Sequence, residues 1–300
     1  MAVTIPFVRD IDIDYGRCDQ VTPLIRRITA NNPSGFTFLG TGTYIIGTGT
    51  VAVIDPGPLN DAHLKALLDA VEGETVSHIL ITHCHMDHSP GAAPFKAATG
   101  AKTYAFGPHG SGKPQDGIQS EEGADRAFVP DVEVRHGDII DGPGWTVECV
   151  FTPGHTSNHM SFCLKEEKAL FTGDHVMGWS TSVISPPDGD MATYVASLEL
   201  LLDRDDAIYW PTHGPAITEP KPFVRSFIAH REDRERQIVE QIEAHHTTIG
   251  DMVPVMYASV DKRLYPAAAR SVLSHLIKME SEGKVTCDGP PSIKTAFRLP

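Results

Sequence analysis

The hydrophobic positions near the N-terminus follow first the spacing of strands and then that of a helix. Over residues 36–58, threonines alternate with apolar residues around a glycine-rich turn at 47–49, a pattern that predicts a β-hairpin. This hairpin is predicted to end at Asp55, which a proline and a glycine follow. Asn60 then precedes apolar residues spaced i, i+3, i+4 and i+7 between 64 and 71, which predicts a capped amphipathic helix.

Apolar runs predict further strands before residue 220. The run Ser77–Thr82 indicates a buried strand, because strands covered on both faces carry near-continuous apolar residues. Strands are also predicted at 132–135, 145–151, 160–164, 169–171 and 207–210, with a helix at about 192–202. Between Gly107 and Ala127 the chain is rich in glycine, proline and charge without periodicity, which predicts a long loop, either mobile or a flap over a site.

The pattern changes after Pro220. The charged stretch Val224–His245 carries a stripe of apolar residues and predicts one long helix. Two shorter helical patterns and a small hairpin are predicted beyond it, at 253–259, 267–282, 283–287 and 294–298. Helices followed by a hairpin in such a short segment indicate a winged-helix module.

Charge also differs between the two parts of the chain. Residues 221–300 carry 12 Lys and Arg against 10 Asp and Glu, a net of +2, which leaves 13 against 29, a net of −16, for residues 1–220. We therefore predict two domains, the first at 1–220 and the second, a linker helix plus winged helix, at 221–300. A strongly acidic body is a poor general partner for nucleic acid or anionic membrane.

Cysteine usage and the N-terminus bear on the compartment. The five cysteines are scattered and include no CxxC pair, which argues against a disulfide framework and favours a reducing cytosol. The first residues lack the basic and then apolar pattern of a secretory signal, and no apolar run approaches the roughly 18 residues that a membrane span needs. We expect a cytoplasmic protein with no membrane partner.

Four potential metal ligands lie within six positions directly after the strand predicted at 77–82. They are His83, His85, Asp87 and His88, and their imidazole nitrogens and carboxylate oxygens are ligand types that suit zinc. His83 and His85, two apart in an extended or turn segment, can converge on one ion. Asp87 and His88, just beyond the turn, can reach a second.

Three more ligand-type residues follow predicted strands elsewhere, each beside a glycine or proline: His155, Asp174 and His213. A lone histidine after a strand is more often a surface residue, or one that supports a ligand from behind, than a ligand itself, and six others are placed in that class: His63, His78, His109, His136, His245 and His246. Seven ligand-type residues at strand ends exceed what chance explains, and strand ends are where open α/β sheets bind their ligands. The sequence therefore predicts a metal site.

Five motifs in this order resemble those of the metallo-β-lactamase-fold hydrolases. They are IDPG with Asp55, HxHxDH at 83–88, TPGHT with His155, TGDH with Asp174 and PTHG with His213. The stretches TPGHTSNHMSF, ALFTGDHVMG and IAHR, together with a terminal winged helix, resemble the beta-lactamase-like protein 2 subgroup, and glyoxalase II-like thioesterases share the first two. PTHG replaces the commoner PGHG, and Cys84 fills the variable position of HxHxDH, but neither departure removes a ligand.

This resemblance implies an α/β fold, an αββα sandwich of two mixed sheets flanked by helices, with a small C-terminal winged-helix domain. It also implies two Zn²⁺ per chain, with iron or manganese as the alternative. One zinc would take His83, His85 and His155, the other Asp87, His88 and His213, and Asp174 would bridge both. Asp55 would orient a ligand histidine, although it could also be a plain turn residue, and Cys84 would point away from the metals.

The implied function is that of a dinuclear-zinc hydrolase, in which a metal-bound hydroxide attacks the ester or thioester carbonyl of a small substrate. Two neighbouring cations can lower the pKa of a shared water to about 7. Asp174, as the bridge, and Asp87, which could also orient the nucleophile or shuttle its proton, are the predicted catalytic residues. No GxSxG, Walker loop or GxGxxG suggests another chemistry.

Substrate contacts are harder to assign. His230, Arg231 and Arg234 share one helical turn and could hold a carboxylate or phosphate if that face borders the site, although they could equally belong to a solvated helix. Trp179, shortly after Asp174, could line the pocket or lie in a turn.

Two other functions stay open at this stage. One is an RNA phosphodiester-cleaving endoribonuclease of the same fold, which the net −16 of the first domain disfavours. The other is a non-catalytic nucleic-acid-binding protein, which the two basic residues of the predicted last helix, Arg270 and Lys278, hardly support. The winged helix is expected to pack on the catalytic domain or to form a homodimer contact.

Overall fold

A computed structural model describes residues 4–113 and 123–300. The strands are β1 Asp19–Gln20, β2 Ile25–Thr29, β3 Gly42–Ile46, β4 Thr50–Ile54, β5 Thr75–Leu80, β6 Lys102–Ala105, β7 Val132–Glu133, β8 Ile139–Gly142, β9 Trp145–Phe151, β10 Met160–Leu164, β11 Ala169–Gly173, β12 Ile208–Pro211, β13 Thr286–Cys287 and β14 Phe297–Arg298. The helices are α1 Asp61–Ala70, α2 Ala92–Thr99, α3 Met191–Asp203, α4 Pro220–Glu243, α5 Ile249–Met256 and α6 Tyr265–Ser281, with 3-10 turns at Lys165–Glu167 and Lys262–Leu264.

Two mixed sheets form the body of the molecule. The first has the order β1 to β7, antiparallel from β1 to β4 and parallel from β4 to β7. The second has the order β12-β11-β10-β9-β8, with only the β11–β12 pair parallel. Mixed pairing of this kind leaves several strand ends at one common edge.

The core has three layers, and successive apolar residues of a strand pack into different ones. In β3, Tyr44 and Ile46 pack between the two sheets, whereas Ile45 faces the layer under α1 and α2. A third layer joins the outer face of the second sheet to α3 and the start of α4. Helices therefore cover both outer faces, and the predicted αββα sandwich is confirmed.

The predicted hairpin and helix cap appear where the sequence indicated them. Strands β3 and β4 pair around the turn at 47–49, where Gly47 has a φ of +92° and a Cβ would lie 2.4 Å from the Trp145 ring. A side chain at that position would meet both a strained backbone and the core. The Asn60 side chain accepts a hydrogen bond from the backbone N–H of His63 at 3.0 Å, which caps α1.

Helix α4 belongs to two cores. Phe223, Val224 and Phe227 pack with α3 against the second sheet, whereas Ile238 and Ile242 pack with α5 and α6. The second group, the α5–α6 pair and the β13–β14 hairpin form the predicted winged helix. The change of core falls inside α4, and the domain boundary near residue 220 stays a prediction.

Some elements differ from those predicted. Helix α5 begins at Ile249 rather than near 253, because the Thr248 side chain accepts a hydrogen bond from the backbone N–H of Asp251 and starts the helix earlier. Helix α2 and the short strands β1, β2, β6 and β8 were not predicted. Their spans of two to eight residues are too short for periodicity to stand out.

The long loop predicted at 107–127 is described only in its flanks. After the gap, the Gly123 carbonyl accepts a hydrogen bond from the Met86 N–H, and the Asp125 N–H donates to the Cys84 carbonyl. The loop therefore returns beside the HxHxDH motif. The predicted flap itself, at 114–122, lies outside the described residues. Among the helices that the structure describes, none has the length and apolar character needed to cross a bilayer.

Candidate metal centre

The seven predicted metal ligands lie at one edge of the sandwich, each just after a strand. The HxHxDH segment follows β5, and His155, Asp174 and His213 follow β9, β11 and β12. Because these strand ends meet at one edge, residues up to 130 positions apart in the sequence come into contact. They form two groups of three residues, with Asp174 between them.

The first group consists of three histidines. The Nε2 of His83 lies 3.0 Å from the Nδ1 of His85, and that atom lies 3.1 Å from the Nε2 of His155. The three ring nitrogens thus converge on one point. Two nitrogens bound to a tetrahedral zinc at about 2.0–2.1 Å would stand roughly 3.3 Å apart, close to these separations.

The second group consists of Asp87, His88 and His213. The Asp87 Oδ2 lies 3.1 Å from the Nε2 of His213 and 3.4 Å from the Nε2 of His88. Both histidines are buried, whereas the Asp87 side chain keeps 23% of its surface exposed. Asp87 therefore faces both its group and the cavity described below.

Asp174 lies between the two groups. Its Oδ1 is 3.4 Å from the His213 Nε2 and 3.7 Å from the His88 Nε2. Its Oδ2 is 3.7 Å from the His155 Nε2. One carboxylate thus directs one oxygen to each group, which is the placement that a bridging ligand needs.

Two observations show that these residues fit metal ions. The ligand-type atoms of each cluster, including that of His83, His88 and Asp174, lie within 4.8 Å of one another. The buried His88 Nε2 and Asp174 Oδ1 make no hydrogen bond within the described part of the chain. Buried polar atoms without partners are costly, and a cation between them would remove that cost.

Asp55 supports this centre from behind. Its Oδ2 accepts a hydrogen bond from the His88 Nδ1–H at 2.9 Å, and its Oδ1 accepts one from the Thr82 N–H at 2.8 Å. The bond to Nδ1 leaves the Nε2 of His88 directed at Asp87 and Asp174. Asp55 also has a φ of +48°, so it makes a turn and contacts a ligand-type histidine at once.

Backbone carbonyls orient two further histidines. The Nδ1–H of His155 donates to the Val183 carbonyl at 2.6 Å, and the Nδ1–H of His213 donates to the Gly40 carbonyl at 3.0 Å. A proton on Nδ1 places the lone pair of the neutral ring on Nε2, which in both residues is the atom that faces Asp174.

The charges of the centre are strongly coupled. Burial lowers the pKa of His83 well below its ordinary value, and the neighbouring histidines lower it further. Burial alone would raise the pKa of Asp174 and Asp87, but His88 and His213 outweigh it and hold both values well below the ordinary range. Burial would likewise lower the pKa of His213, but Asp174 and Asp87 raise it to about 10. Metal ions bind the neutral imidazole ring, so a metal ion at His213 would displace the proton from its Nε2.

His159 is a member of the centre that the sequence analysis did not assign. Its Nε2 accepts a hydrogen bond from the backbone N–H of Asp174 at 3.2 Å, and its Nδ1–H donates to the Thr152 Oγ1 at 2.9 Å. Gly173, with a φ of +50°, leaves room for this ring, because a Cβ there would lie 2.6 Å from Nε2. The position of His159 inside TPGHTSNHMSF was the only signal of its role.

Arg27 holds the loop that carries His213. Its Nη1–H donates to the Gly214 carbonyl at 2.9 Å, and its guanidinium lies 5.5 Å from the centre of the Tyr44 ring. An arginine on a short strand is ordinarily taken as a solvated surface residue, so no pattern pointed to this contact.

Cys84 takes no part in the clusters. Its side chain is buried in the core under α1 and α2, and its Sγ accepts a hydrogen bond from the Asn158 Nδ2 at 3.1 Å. Burial raises the pKa of this thiol to about 12, so it stays protonated at neutral pH.

A cavity of about 620 Å³ opens onto this centre. Five of the seven predicted ligands form its floor: His85, Asp87, His155, Asp174 and His213. Trp179 lies on its wall and stacks on Phe38, with ring centres 4.8 Å apart. The winged helix completes the rim with Arg263, Pro266, Ala267 and Arg270. A volume of this size suits a small molecule.

The other two tentative substrate contacts lie elsewhere. Arg231 is only 3% exposed, its Nη2–H donates to the Ser182 carbonyl at 2.7 Å, and its guanidinium lies 4.9 Å from the centre of the Tyr194 ring. Burial lowers the pKa of His230 to about 3. Neither residue lines the cavity. The helix face that carries Arg231 turns into the protein, so this arginine supports the wall instead of facing substrate.

Both parts of the chain match known protein families. The profile of the Metallo-beta-lactamase superfamily matches residues 37–213, and that of the Beta-lactamase associated winged helix domain matches residues 248–290. A Drosophila melanogaster protein named Beta-lactamase-like protein 2 homolog is 34% identical over 281 residues, which cover 89% of this chain and 91% of that protein.

Two further proteins bear on fold and function. A Claviceps purpurea (strain 20.1) protein named Atrochrysone carboxyl ACP thioesterase is 30% identical over 250 residues, 80% of this chain and 74% of that protein. The crystal structure of a beta-lactamase domain protein from Burkholderia ambifaria superposes with a TM-score of 0.78 at 18% identity, covering 99% of this chain and 97% of that one. This last likeness is one of fold alone.

Proposed function

Since the chain belongs to the metallo-beta-lactamase superfamily and is a hydrolase of that fold, we propose that it is a dinuclear-zinc hydrolase of small thioesters and esters. The observation that carries this proposal is the position of Asp174, whose two oxygens face two separate groups of ligand-type side chains. A carboxylate that served a single metal site would need only one ligand group in front of it, whereas Asp174 faces two.

The proposed ligand sets follow the groups described above. His83, His85 and His155 would hold one zinc, Asp87, His88 and His213 would hold the other, and Asp174 would serve both. Zinc bound there would supply hydroxide at neutral pH and stabilise negative charge on a carbonyl oxygen. Iron and manganese, the alternative cofactors, accept the same nitrogen and oxygen ligands.

The chain's own side chains prepare the site for this reaction. Asp55 and the two backbone carbonyls fix the histidine rings before any substrate arrives, so little reorganisation accompanies the reaction. Asp87 is the carboxylate of its group that also borders the cavity, and it is placed to accept a proton from the attacking water or to orient it. Trp179 offers an apolar wall for the acyl group.

The thioester as substrate class is supported by relatives. The Claviceps protein and a Cryptosporiopsis protein named Atrochrysone carboxyl ACP thioesterase dmxR1, 28% identical over 315 residues, carry thioesterase names. A thiolate is also a good leaving group, so the carbonyl attack needs little assistance at the sulfur. The RNA alternative, a homodimer and a cytoplasmic location stay predictions from the sequence.

Metal analysis and one side-by-side assay test this proposal. We expect close to two zinc per chain in the purified protein, and hydrolysis of thioesters in preference to lactones, a β-lactam and single-stranded RNA. One iron per chain would replace the dinuclear-zinc assignment. Cleavage of the RNA alone would replace the thioester by a phosphodiester.

A further inference from the structure

The rim of the cavity carries a cation that the centre does not use. Arg270 lies in α6, one turn after Ala267, and both residues line the same cavity as Asp174 and His213. The guanidinium thus belongs to the winged-helix domain, while the ligand-type residues belong to the sandwich. The cavity is formed between the two domains.

Arg270 differs from Arg236 and Arg263 in having no acidic partner among the described residues. In the part of the chain that the structure describes, no carboxylate lies within 4 Å of its guanidinium, and no hydrogen bond to it is formed. By contrast, Arg236 pairs with Asp233 and Glu240 on α4. Arg270 lines a cavity and is half-buried, and no described residue takes up its N–H donors, so a ligand can use them.

Arg263 is a weaker candidate at the same rim. Its Nη2–H donates to the Asp261 Oδ2 at 2.6 Å, and its side chain is 88% exposed. Solvent and its own carboxylate both reduce what it offers an anion. It adds positive potential near Arg270 without being the main contact.

We propose that Arg270 binds an oxyanion, a carboxylate or a phosphate, that the substrate carries apart from its scissile carbonyl. This inference rests on the proposed thioester hydrolysis and names the substrate class within it. Guanidinium matches both oxyanions through paired N–H donors, and the surrounding first domain, at a net −16, holds no comparable excess of positive charge. The winged helix acts as the specificity element of the enzyme.

Two matched pairs of thioesters test the proposal. S-acetyl-3-mercaptopropionate and its methyl ester differ by a carboxylate, and S-acetyl-4′-phosphopantetheine and S-acetylpantetheine differ by a phosphate. Arg270→Met removes the charge and keeps an unbranched stem. We expect it to lower kcat/KM for an anionic member about 10- to 100-fold, mainly through KM, and to leave the neutral member within about twofold.

The control is Arg236→Met, an exposed arginine outside the cavity, which should leave both members unchanged. The pair in which the loss appears tells whether the oxyanion is a carboxylate or a phosphate. An equal loss on the charged and neutral members of both pairs would assign Arg270 a purely structural role and overturn the proposal. No loss on either pair would overturn it as well.

A binding measurement separates this proposal from that of thioester hydrolysis. The thioethers 3-(ethylthio)propionate and S-ethyl-4′-phosphopantetheine cannot be hydrolysed, and their affinity for the zinc-loaded protein is measured by calorimetry. We expect at least one of them to bind the wild type about 10-fold or more tightly than Arg270→Met. If no thioester is turned over but this difference persists, the proposed reaction is wrong and the anion site stands; equal affinities would refute the anion site itself.

Discussion

The floor and the rim of the cavity are built in different ways. On the floor, buried side chains from four strand ends are held by other protein groups, as when Asp55 orients His88 and the Gly40 carbonyl orients His213. On the rim, the winged helix contributes the more exposed Arg263 and Arg270, and Arg270 has no acidic partner within the described residues. The side chains of the floor are positioned before any ligand binds, whereas the rim offers N–H donors that a ligand can use.

This difference matches the two tasks of an enzyme. Chemistry needs groups fixed within a fraction of an ångström, which packing and hydrogen bonds behind the ligands provide. Selection among substrates needs contacts that can change without disturbing that geometry. A catalytic domain joined to a second domain that closes one side of the cavity separates the two requirements, and the following predictions test that separation.

The largest effect is expected from the floor. Asp174→Asn keeps the shape of the side chain but removes the charge that faces both ligand groups. We expect turnover to fall by at least about 1,000-fold and the metal content to drop below two ions per chain, with an unchanged circular dichroism spectrum. Activity and metal content are measured on the same preparation.

The matched control for that variant is Asp205→Asn, an exposed carboxylate paired with Lys168 far from the cavity. It should leave turnover and metal content unchanged. Retained activity in Asp174→Asn would show that Asp174 is not a metal ligand. The assignment of two metal ions would then be wrong as well.

A smaller effect is expected from the core under the rim. Burial lowers the pKa of His275 on α6 to about 4, despite Glu235 nearby, while Arg231 and Lys278 lower it further. The unfolded chain takes up this proton near pH 6.5 and the folded chain only near 4. The contribution of His275 to the free energy of unfolding is therefore unaffected above about pH 6.5. It falls by roughly 3 kcal/mol as the pH drops toward 4.

Denaturant unfolding of His275→Gln between pH 7 and pH 4 checks this. The variant should lose less stability on acidification than the wild type, since Gln does not titrate. His245→Asn is the control, because His245 is exposed and its φ of +64° suits asparagine. An unchanged pH dependence in His275→Gln would mean that this histidine does not cause the loss of stability at low pH. Burial also lowers the pKa of His63, in the first domain, to about 4, so His63 reduces the stability of the wild type over the same pH range.

The smallest effect concerns how the floor is held. Asp55→Asn would place an amide where His88 and Thr82 both donate hydrogen bonds, so one donor loses its acceptor. We expect metal affinity to fall about 10- to 100-fold, as for other residues that orient a ligand. Competition with a chelator measures it. Wild-type affinity in this variant would show that Asp55 serves only the turn.

The floor could be predicted to a large extent from the sequence, and the rim could not. Four of the seven ligand-type residues were found because they cluster after one apolar run, and the other three because each follows an apolar run and stands beside a glycine or proline. Arg231 shows the limit of such patterns. An arginine in a charged stretch suggests a solvated or ligand-facing surface, yet α4 turns it toward Ser182 and Tyr194. Arg270, in a stretch without a motif, lines the cavity.

The sequence by itself determined most of the longer strands and helices, the order of the motifs and the ligand types, because periodicity and turn residues act over a few positions. Only the tertiary structure decided which side chains meet. The approach of Asp174 to His88 and His213, the support of Asp174 by His159 and the position of α6 over the centre depend on contacts between distant segments. Such contacts follow from the packing of whole layers, which leaves no local signature in the chain.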